Sequence, residues 1–354
     1  MDSPTLDGLA DFEAKRTRAY AGQLQGFLKK WLVDDYPARA ARLWQRDYSS
    51  IDAFLESVEP NRDRWKRVVK PPKLEKTGDL ERTPWTPLAD AGAAWLTLPL
   101  DPPLTAEGLL AVPAGATEAR PAPLVIAQHG IGSWPERTFG LLDEGNHYHR
   151  YARDLLDSGF AVLAPMNLRY EAYADVPRLC QLAGMSLPGI QMVRMQRLLD
   201  EVLEDPRIDA QRVGMWGISW GGLAVQFWMP LEPRIKAGIS CAFFNHRRHK
   251  MAAPANRYSP FTTDHAFFSD WLVEFSDADA VSLICPRPFM VQHGKQDGIG
   301  YWPGIVEEFE AARGPYAKLG IPERIEMDLH EGGHEISIET GITFLTRWLD
   351  EKRV

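Results

Sequence analysis

The stretch "GISWGG", residues 217–222, has the Gly-x-Ser-x-Gly spacing that is typical of a nucleophilic serine. A serine hydroxyl attacks a carbonyl only when a base removes its proton, so the spacing gains meaning only if a histidine and an acid accompany it. The apolar run "RVGMW" before Gly217 predicts a strand, and the residues after Gly221 predict a helix. Ser219 would then lie on a sharp strand-to-helix turn, where glycines are needed because a Cβ would collide with backbone.

Two later segments supply the acid and the base. "FMVQHGKQDG" places Asp297 in a loop after a predicted strand, and "IEMDLHEGGHEIS" places His334 in a loop after the last predicted strand. We predict that His334 accepts the proton of Ser219 and that Asp297 holds the imidazole in the required tautomer. His293 and His330 are the competing bases.

An anion formed during carbonyl attack needs two hydrogen-bond donors. We predict the backbone amides of Trp220, directly after the serine, and of Ile131, in the loop "AQHGIGSW". His129 and Gly130 would shape that loop. The alternatives are that the His-Gly pair forms a simple turn, that Trp220 only packs beneath the serine, and that Asp297 is a solvated turn carboxylate.

Eight short apolar runs after residue 90 predict strands, and most are separated by amphipathic helical segments. "LVIAQ" and "FAVLAP" are apolar at successive positions, which indicates strands buried on both faces. Alternating strands and helices predict an α/β protein with a mostly parallel eight-stranded sheet flanked by helices. The eight runs are "AAWLTLPL", "GLLAVP", "PLVIAQHG", "FAVLAPMN", "RVGMWGIS", "RIKAGISCAFF", "PFMVQHG" and "RIEMDLH".

The N-terminal part has a different pattern. Residues 1–80 predict a helical N-terminal extension or cap, and the prolines and charges of residues 71–88 predict a linker. Residues 81–354 would form the catalytic domain, with an aromatic-rich, lid-like insertion at about 245–280. The extension could cap the site or form an interface between copies of the chain.

The composition narrows the classes of function. With 354 residues, 45% hydrophobic residues and a net charge of −8, the chain reads as a globular protein without the basic face that nucleic acid requires. Three scattered cysteines, Cys180, Cys241 and Cys285, are too few for a disulfide framework or a paired zinc site. We find neither a secretory signal nor a membrane span, and we expect a cytoplasmic protein that binds no membrane.

Several of these segments together resemble a known family. "IAQHGIG", "YARDLLDSGFAVLAP", "RIDAQRVGMWGISWGG", "VQHGKQD" and "HEGGHEI" are similar to the dienelactone hydrolase group of α/β-hydrolases, in particular its acetyl xylan esterase-like branch. The resemblance covers about residues 93–350 and implies the α/β-hydrolase fold. This chain has a serine where dienelactone hydrolase has a cysteine, and its N-terminal segment has no counterpart in the smallest members.

Other side chains could contact a substrate at the same edge of the sheet. Arg169, Tyr170 and Glu171 follow a predicted strand, although an ion pair and a packed tyrosine would explain them equally well. Trp134 and Trp302 flank the catalytic loops. The basic run at residues 246–250 could receive a carboxylate or form a solvated face.

No metal or other cofactor is expected. "DEGNHYHR" superficially resembles a metal cluster, but His147 and His149, two residues apart on a helix, would point in different directions. No phosphate-binding loop or dinucleotide motif is present in the sequence.

The sequence therefore predicts a serine esterase, most simply a short-chain (acetyl) esterase acting on small or carbohydrate esters. An amidase, a peptidase-like hydrolase or a carbon–carbon bond hydrolase could use the same triad, and a non-catalytic binding protein is a further alternative. A homo-oligomer is compatible with the sequence.

Overall fold

The computed structural model describes residues 6–143, 145–169, 175–252 and 267–349. Within these ranges nine strands form one sheet in the order β1-β2-β3-β5-β4-β6-β7-β8-β9. The strands are Glu81–Pro84 (β1), Ala94–Pro99 (β2), Thr105–Ala111 (β3), Ala122–Gln128 (β4), Ala161–Pro165 (β5), Ile208–Ile218 (β6), Ile235–Cys241 (β7), Phe289–Gly294 (β8) and Ile325–His330 (β9).

Helices occupy most of the connections between the strands. The α-helices of the described residues are Leu9–Lys29 (α1), Tyr36–Leu43 (α2), Ile51–Val69 (α3), Pro135–Thr138 (α4), Tyr151–Asp157 (α5), Val176–Leu182 (α6), Leu187–Val202 (α7), Trp220–Trp228 (α8), Arg247–Ala252 (α9), Trp271–Glu274 (α10), Asp277–Ser282 (α11), Trp302–Lys318 (α12) and Ile338–Trp348 (α13). A π-helical segment, Lys30–Asp34, links α1 to the chain before α2.

The sheet is mixed, with its parallel part at the centre and at one edge. β4 pairs in parallel with β5 and β6, and the parallel pairing continues through β7, β8 and β9. β1, β2 and β3 add antiparallel strands at the other edge. All carboxyl ends of the parallel strands therefore open on one edge, where open α/β sheets bind ligands.

The prediction of an α/β protein with a mostly parallel sheet is confirmed, but the predicted number of strands is too low by one. The eight predicted runs correspond to β2–β9. The ninth strand, β1, lies inside the segment that we predicted as a linker. Its four residues, "ERTP", are all exposed at the sheet edge, so they lack the apolar pattern by which a strand is recognised.

Helices cover both faces of the sheet. Alternate residues of β4 belong to different buried clusters, with Leu124 and Ile126 on one face and Val125 and Ala127 on the other. The first cluster includes residues of α3, α7, α8 and α12, and the second includes residues of α5 and α13. This burial on both faces is the reason why the central strands are apolar at successive positions.

Helix α3 belongs to the main hydrophobic core. Its N-terminus is capped by the Ser50 hydroxyl, which accepts a hydrogen bond from the Ala53 amide at 3.0 Å. The Trp65 indole is fully buried, packs against Phe275 and donates a hydrogen bond to the Phe227 carbonyl at 3.0 Å. The division of the chain at about residue 80 stays a prediction, and one continuous core joins the two sides of it.

Three further predictions concern the cysteines, the lid-like insertion and a membrane span. The three cysteines are unpaired and buried. The predicted lid-like insertion at about 245–280 contains α9, α10 and part of α11, and residues 253–266 of it lie outside the described residues. No helix within the described ranges is long and apolar enough to cross a membrane, and the cytoplasmic location stays a prediction.

Two truncations test the role of the N-terminal helices in folding. α1 buries none of its residues, so a chain that starts at residue 30 should unfold cooperatively at nearly the full-length melting temperature. A chain that starts at residue 81 loses α3 and should not fold, since removal of a single buried tryptophan such as Trp65 already costs about 3–5 kcal/mol. Circular dichroism and thermal unfolding of both proteins would measure this. A native-like, cooperative 81–354 protein would contradict the expectation.

Candidate active site

Ser219 occupies a strained turn between β6 and α8. Its backbone has φ 61° and ψ −117°, a region that non-glycine residues adopt only when the surrounding structure imposes it. The Ser219 amide donates to the Cys241 carbonyl at 2.8 Å, and the Ser219 carbonyl accepts from the Leu223 amide at 3.0 Å. The serine is thus tied to β7 on one side and to α8 on the other.

The glycines around Ser219 are required by close backbone contacts. A Cβ on Gly217 would lie 2.4 Å from the Gly221 carbonyl oxygen, and one on Gly221 would lie 2.2 Å from the Gln128 carbonyl oxygen. A Cβ on Gly222 would lie 2.5 Å from the Cys241 carbonyl oxygen. These distances are too short for any side chain, so the turn packs directly on the ends of β4 and β7.

Asp297 and His334 form a hydrogen-bonded pair at the same edge of the sheet. Nδ1 of His334 lies 2.8 Å from Oδ2 of Asp297, whose side chain is 1% exposed. The other carboxylate oxygen accepts from the Ile299 amide at 3.0 Å. Burial by itself would raise the pKa of Asp297, but the hydrogen bond from His334 and the one from Ile299 outweigh it and lower the pKa below its usual value.

The two competing histidines are placed differently. The His293 ring is buried, and neither of its nitrogens has a hydrogen-bond partner among the described residues. Burial lowers the pKa of His293 to about 4. His330 accepts from the Gly332 amide at 3.2 Å through Nδ1. Within the described ranges His334 is the histidine that hydrogen-bonds to Asp297.

The predicted oxyanion loop is held by buried contacts. His129 Nδ1 donates to the Gly130 carbonyl at 2.8 Å, and its Nε2 accepts from the Asn167 amide at 3.1 Å. Burial lowers the pKa of His129 to about 4, so the ring is neutral at pH 7, as these two contacts require. The Gly130 amide donates to the Tyr148 hydroxyl at 3.0 Å.

The next amide of this loop belongs to Ile131, a predicted oxyanion donor. No acceptor within the described residues takes a hydrogen bond from Ile131 N–H. A Cβ on Gly130 would lie 3.3 Å from the Cβ of Ser219, so the loop and the serine are neighbours. The second predicted donor is the backbone amide of Trp220. The indole of this residue packs into the core against Trp228.

Residues 147–149 hold the His334 loop in place. His147 Nδ1 donates to the His334 carbonyl at 2.9 Å, and the His147 carbonyl accepts from the Ile336 amide at 2.9 Å. His149 Nε2 lies 2.7 Å from Oε2 of Glu335, and this contact lowers the pKa of Glu335. Since Tyr148 contacts Gly130, one short segment joins the loop that carries the histidine to the predicted oxyanion loop.

Residues 147–149 carry no sequence signal that connects them with the site. His147 and His149 resemble a metal cluster only superficially, and such a role is not expected of them. Their partners lie about 190 residues away in the chain, and no local pattern reports such contacts. Within the described residues no three His, Cys, Asp or Glu side chains are grouped so that they could hold a metal ion.

Three of the five predicted substrate contacts, Trp134, Arg169 and Trp302, lie among the described residues. The Arg169 guanidinium lies 5.1 Å from the centre of the Trp134 ring, which brings the loops after β4 and β5 together. Trp302 begins α12, is 40% exposed and has the Lys295 ammonium 5.9 Å from its ring centre. Tyr170 and Glu171 lie outside the described residues.

The basic run at 246–250 is not a simple solvated face. Arg247 is buried and pairs with Asp277 at 3.1 Å. Arg248 lies over the Tyr36 ring at 3.4 Å. Lys250 is buried and donates to the Ile299 carbonyl, next to the Asp297 loop. Burial, together with the charge of Arg247, lowers the pKa of Lys250 to about 7.

Comparisons with known proteins agree with this architecture. A structure described as "a putative acetyl xylan esterase" from Bacteroides fragilis NCTC 9343 superposes with a TM-score of 0.63 at 17% identity, covering 84% of this chain and 83% of the other. A CE15 glucuronoyl esterase from Teredinibacter turnerae T7901 gives a TM-score of 0.60 at 15% identity, with 84% and 86% covered. The chain has the α/β-hydrolase fold.

The sequence comparisons are weaker. The chain is 25% identical over 244 residues to the Bacillus subtilis (strain 168) protein named "Putative hydrolase YtaP", covering 65% of this chain and 79% of that protein. No family model matches the chain. The expected α/β-hydrolase fold and its acetyl xylan esterase-like neighbours are thus confirmed, whereas membership of the dienelactone hydrolase group stays a prediction.

Replacement of Gly221 by alanine tests the packing of the turn. Because the new methyl would meet the Gln128 carbonyl oxygen at 2.2 Å, we expect Gly221→Ala to lower the free energy of unfolding by about 1–3 kcal/mol or to prevent folding. Gly115→Ala is the matched control, since a Cβ there meets nothing within 4 Å. Urea unfolding measures both. Equal stability of the two variants would contradict the close contact.

The buried histidines predict acid sensitivity. In the unfolded chain His293 takes up a proton near pH 6.5, but in the folded protein only near pH 4, so stability is lost as the pH falls between these values. His293→Leu should reduce the loss of unfolding free energy between pH 7 and pH 4.5 by up to about 2 kcal/mol. Met290→Leu, a change at another buried position of β8, should leave it unchanged. An unaltered pH dependence in His293→Leu would contradict the assignment.

Proposed function

We propose that this protein is a serine hydrolase that cleaves carboxylic esters, with Ser219 as nucleophile, His334 as base and Asp297 as the acid that orients the base. The observation that carries the proposal is the buried Asp297 to His334 hydrogen bond at the sheet edge where Ser219 is held in its strained turn. The contact from His334 to Ser219, which completes the triad, is part of the proposal. Hydrolase and esterase descriptions among the compared proteins support it.

The hydrogen bond between Asp297 and His334 determines which ring nitrogen of His334 can accept a proton. His334 donates a hydrogen bond from Nδ1–H to the ionised Asp297, so the proton stays on Nδ1 and the lone pair of Nε2 is free to accept the proton of Ser219. The serine oxygen attacks the ester carbonyl, and the protonated His334 returns the proton to the leaving alcohol. Water then repeats the sequence on the acyl-enzyme and releases the acid.

The backbone amides of Ile131 and Trp220 would hold the oxygen that becomes negative in each tetrahedral intermediate. The Ile131 amide lies in a loop that is fixed by His129, Asn167 and Tyr148. A donor that is already in place needs little reorganisation when the charge develops, which is the condition for effective stabilisation. This chemistry needs no cofactor.

The space beside the predicted oxyanion donors favours a short acyl group. The space lined by Ile131 and Trp220 together with His129, Leu168 and Leu187 has a volume of only about 10 Å³, roughly that needed by one water molecule. So narrow a space leaves no room for a long acyl chain beside the predicted donors and is closest in size to the methyl of an acetyl group. We therefore propose a short-chain, acetyl-preferring esterase, with small or carbohydrate esters as substrates. The acetyl xylan and glucuronoyl esterases named above support the carbohydrate part.

A nitrophenyl ester series from acetyl to octanoyl tests both the reaction and the acyl preference. We expect kcat/KM to be highest for acetyl and to fall with chain length. Ser219→Ala should lower kcat by at least about 1,000-fold with unchanged circular dichroism, since the triad acts as a unit. Ser158→Ala, on an exposed loop, controls for loss of a serine. Acetylated sugars form the second panel.

Three results would each contradict a different part of this proposal. Full activity of Ser219→Ala would overturn the nucleophile assignment. Turnover of anilides but not of esters would replace the esterase by an amidase on the same triad. No labelling of Ser219 by a sulfonyl fluoride, together with no turnover of any substrate, would leave the non-catalytic binding protein.

A further inference from the structure

Lys250 is a buried cation that the proposed reaction does not use. It lies in α9 and is 5% exposed. Lysine is almost never buried to this degree without a partner, because an ammonium group outside water loses its hydration. Among the described residues the hydrogen-bond partner of its Nζ is the Ile299 carbonyl. This contact, two residues after Asp297, places Lys250 beside the proposed site.

Ile299 connects Lys250 to Asp297. Its carbonyl accepts a hydrogen bond from Lys250, and its amide donates to Oδ1 of Asp297 at 3.0 Å. The other carboxylate oxygen of Asp297 lies 2.8 Å from Nδ1 of His334. Lys250 therefore begins a continuous series of contacts that ends at the proposed base.

The segment around Ile299 depends on an outside contact to keep one conformation. Gly298 and Gly300 flank it, and glycine has more conformational freedom than any other residue. A Cβ on Gly298 would meet nothing within 4 Å, so no neighbouring atom fills the space that a side chain would occupy there. Gly300 packs on His293, where a Cβ would lie 2.6 Å from the ring. The hydrogen bond from Lys250 holds the residue between these two glycines.

Helix α9 gives Lys250 a fixed starting point. Arg247, about one turn before Lys250, is buried and pairs with Asp277 of α11 at 3.1 Å. Its guanidinium carbon lies 4.1 Å from the centre of the Phe243 ring and 5.4 Å from that of the Trp271 ring. An ammonium group that extends from a helix anchored in this way can hold a loop in place.

The charges around Lys250 do not fully compensate for its burial. Burial and the charge of Arg247 lower the pKa of Lys250 to about 7. Asp297 and Asp277 act in the opposite direction, and His293 of β8 lies close enough for the charge of Lys250 to lower its pKa. An apolar side chain would pack in such a place more favourably. A perturbed ionisable group that is kept there is typical of a functional site.

We propose that Lys250 is a positioning residue for the proposed base. It holds Ile299 so that the Ile299 amide stays directed at Asp297, and the carboxylate then keeps the proton of His334 on Nδ1. This role rests on the proposed function, because only that tautomer leaves Nε2 free to take the proton of Ser219. Lys250 also connects the lid-like insertion, to which α9 belongs, with the loop that carries Asp297.

Lys250→Met tests this role in the full-length protein. Methionine keeps the unbranched apolar stem but donates no hydrogen bond, so the protein should fold with Ile299 and Asp297 less precisely placed. With nitrophenyl acetate we expect kcat to fall at least about 10-fold, because a small misplacement of a catalytic group is enough for such a loss. KM should change less than about 2-fold, since a positioning residue contributes nothing to ground-state binding.

Lys236→Met is the matched control. Lys236 also donates to a backbone carbonyl, that of Pro233 at 3.2 Å, but it lies at the amino end of β7, away from the site. Its replacement should leave kcat unchanged. Circular dichroism and thermal unfolding compare the folding of both variants. If Lys250→Met does not fold, Lys250→Gln, whose side chain ends one atom earlier, replaces it in every measurement.

Nitrogen-15 NMR of the histidine rings separates positioning from a merely structural role. The shifts of the two ring nitrogens show which of them carries the proton. At about pH 8 the wild type and Lys236→Met should hold His334 in the Nδ1–H tautomer, whereas Lys250→Met should also populate the Nε2–H tautomer. His334→Gln identifies the signals.

An unchanged tautomer of His334 in Lys250→Met would overturn the role of Lys250. In an active enzyme, a kcat of Lys250→Met within about 2-fold of the wild-type value, or an equal loss of kcat in Lys236→Met, would overturn it as well. Failure of the proposed function gives a different result: the wild type would hydrolyse no ester, while the tautomer of His334 would still depend on Lys250.

Discussion

The direct contact of three backbone segments at the carboxyl end of β6 is the constraint on which the site depends. Gly217, Gly221 and Gly222 let the turn approach the ends of β4 and β7 to distances that exclude a side chain. Ser219 is left with a positive φ and an amide bonded to Cys241. The strain at Ser219 persists because moving it would disrupt the packing of two strands.

Cys241 extends this constraint to the loop of His334, the proposed base. Its carbonyl holds the Ser219 amide, and its thiol donates to the Glu335 carbonyl at 3.2 Å. The serine turn and the His334 loop are therefore fixed by the same residue at the end of β7. Residues 147–149 also bond to that loop. The loop that carries His334, the proposed base, is therefore held by contacts from two separate segments, which is what a preorganised site requires.

The parts of this structure that sequence could predict are those with a local signal. Eight strands are recognisable because burial on both faces makes their residues apolar in succession, and Asp297 and His334 stand out because they follow two of these strands. β1 has no such signal, since an exposed edge strand is polar. The role of Tyr148 depends on a contact between distant segments. The preference for His334 over His293, which the sequence favoured by position alone, gains its physical reason from the hydrogen bond between His334 and Asp297.

The N-terminal helices illustrate the same limit. Their apolar periodicity predicted helices, yet it did not distinguish a helix that packs on the sheet from one that does not. α3 places Trp65 and Phe54 in the core, and Tyr36 and Arg46 hydrogen-bond to Asp279 of α11. α1 has an apolar face of its own that nothing in the chain buries among the described residues. Burial depends on the partner surface, which a helical period does not report.

Burial also determines the charges of the side chains near His334, the proposed base. His129 and His293 are neutral above about pH 4, so neither competes with His334 for the ionised Asp297. Lys250, held at the Ile299 carbonyl beside the Asp297 loop, has a pKa that burial lowers to about 7. Burial of Asp297 by itself would raise the pKa of this carboxyl, and the hydrogen bonds from His334 and the Ile299 amide outweigh that effect. The contact with His334 therefore both keeps Asp297 ionised and fixes the orientation of the imidazole ring.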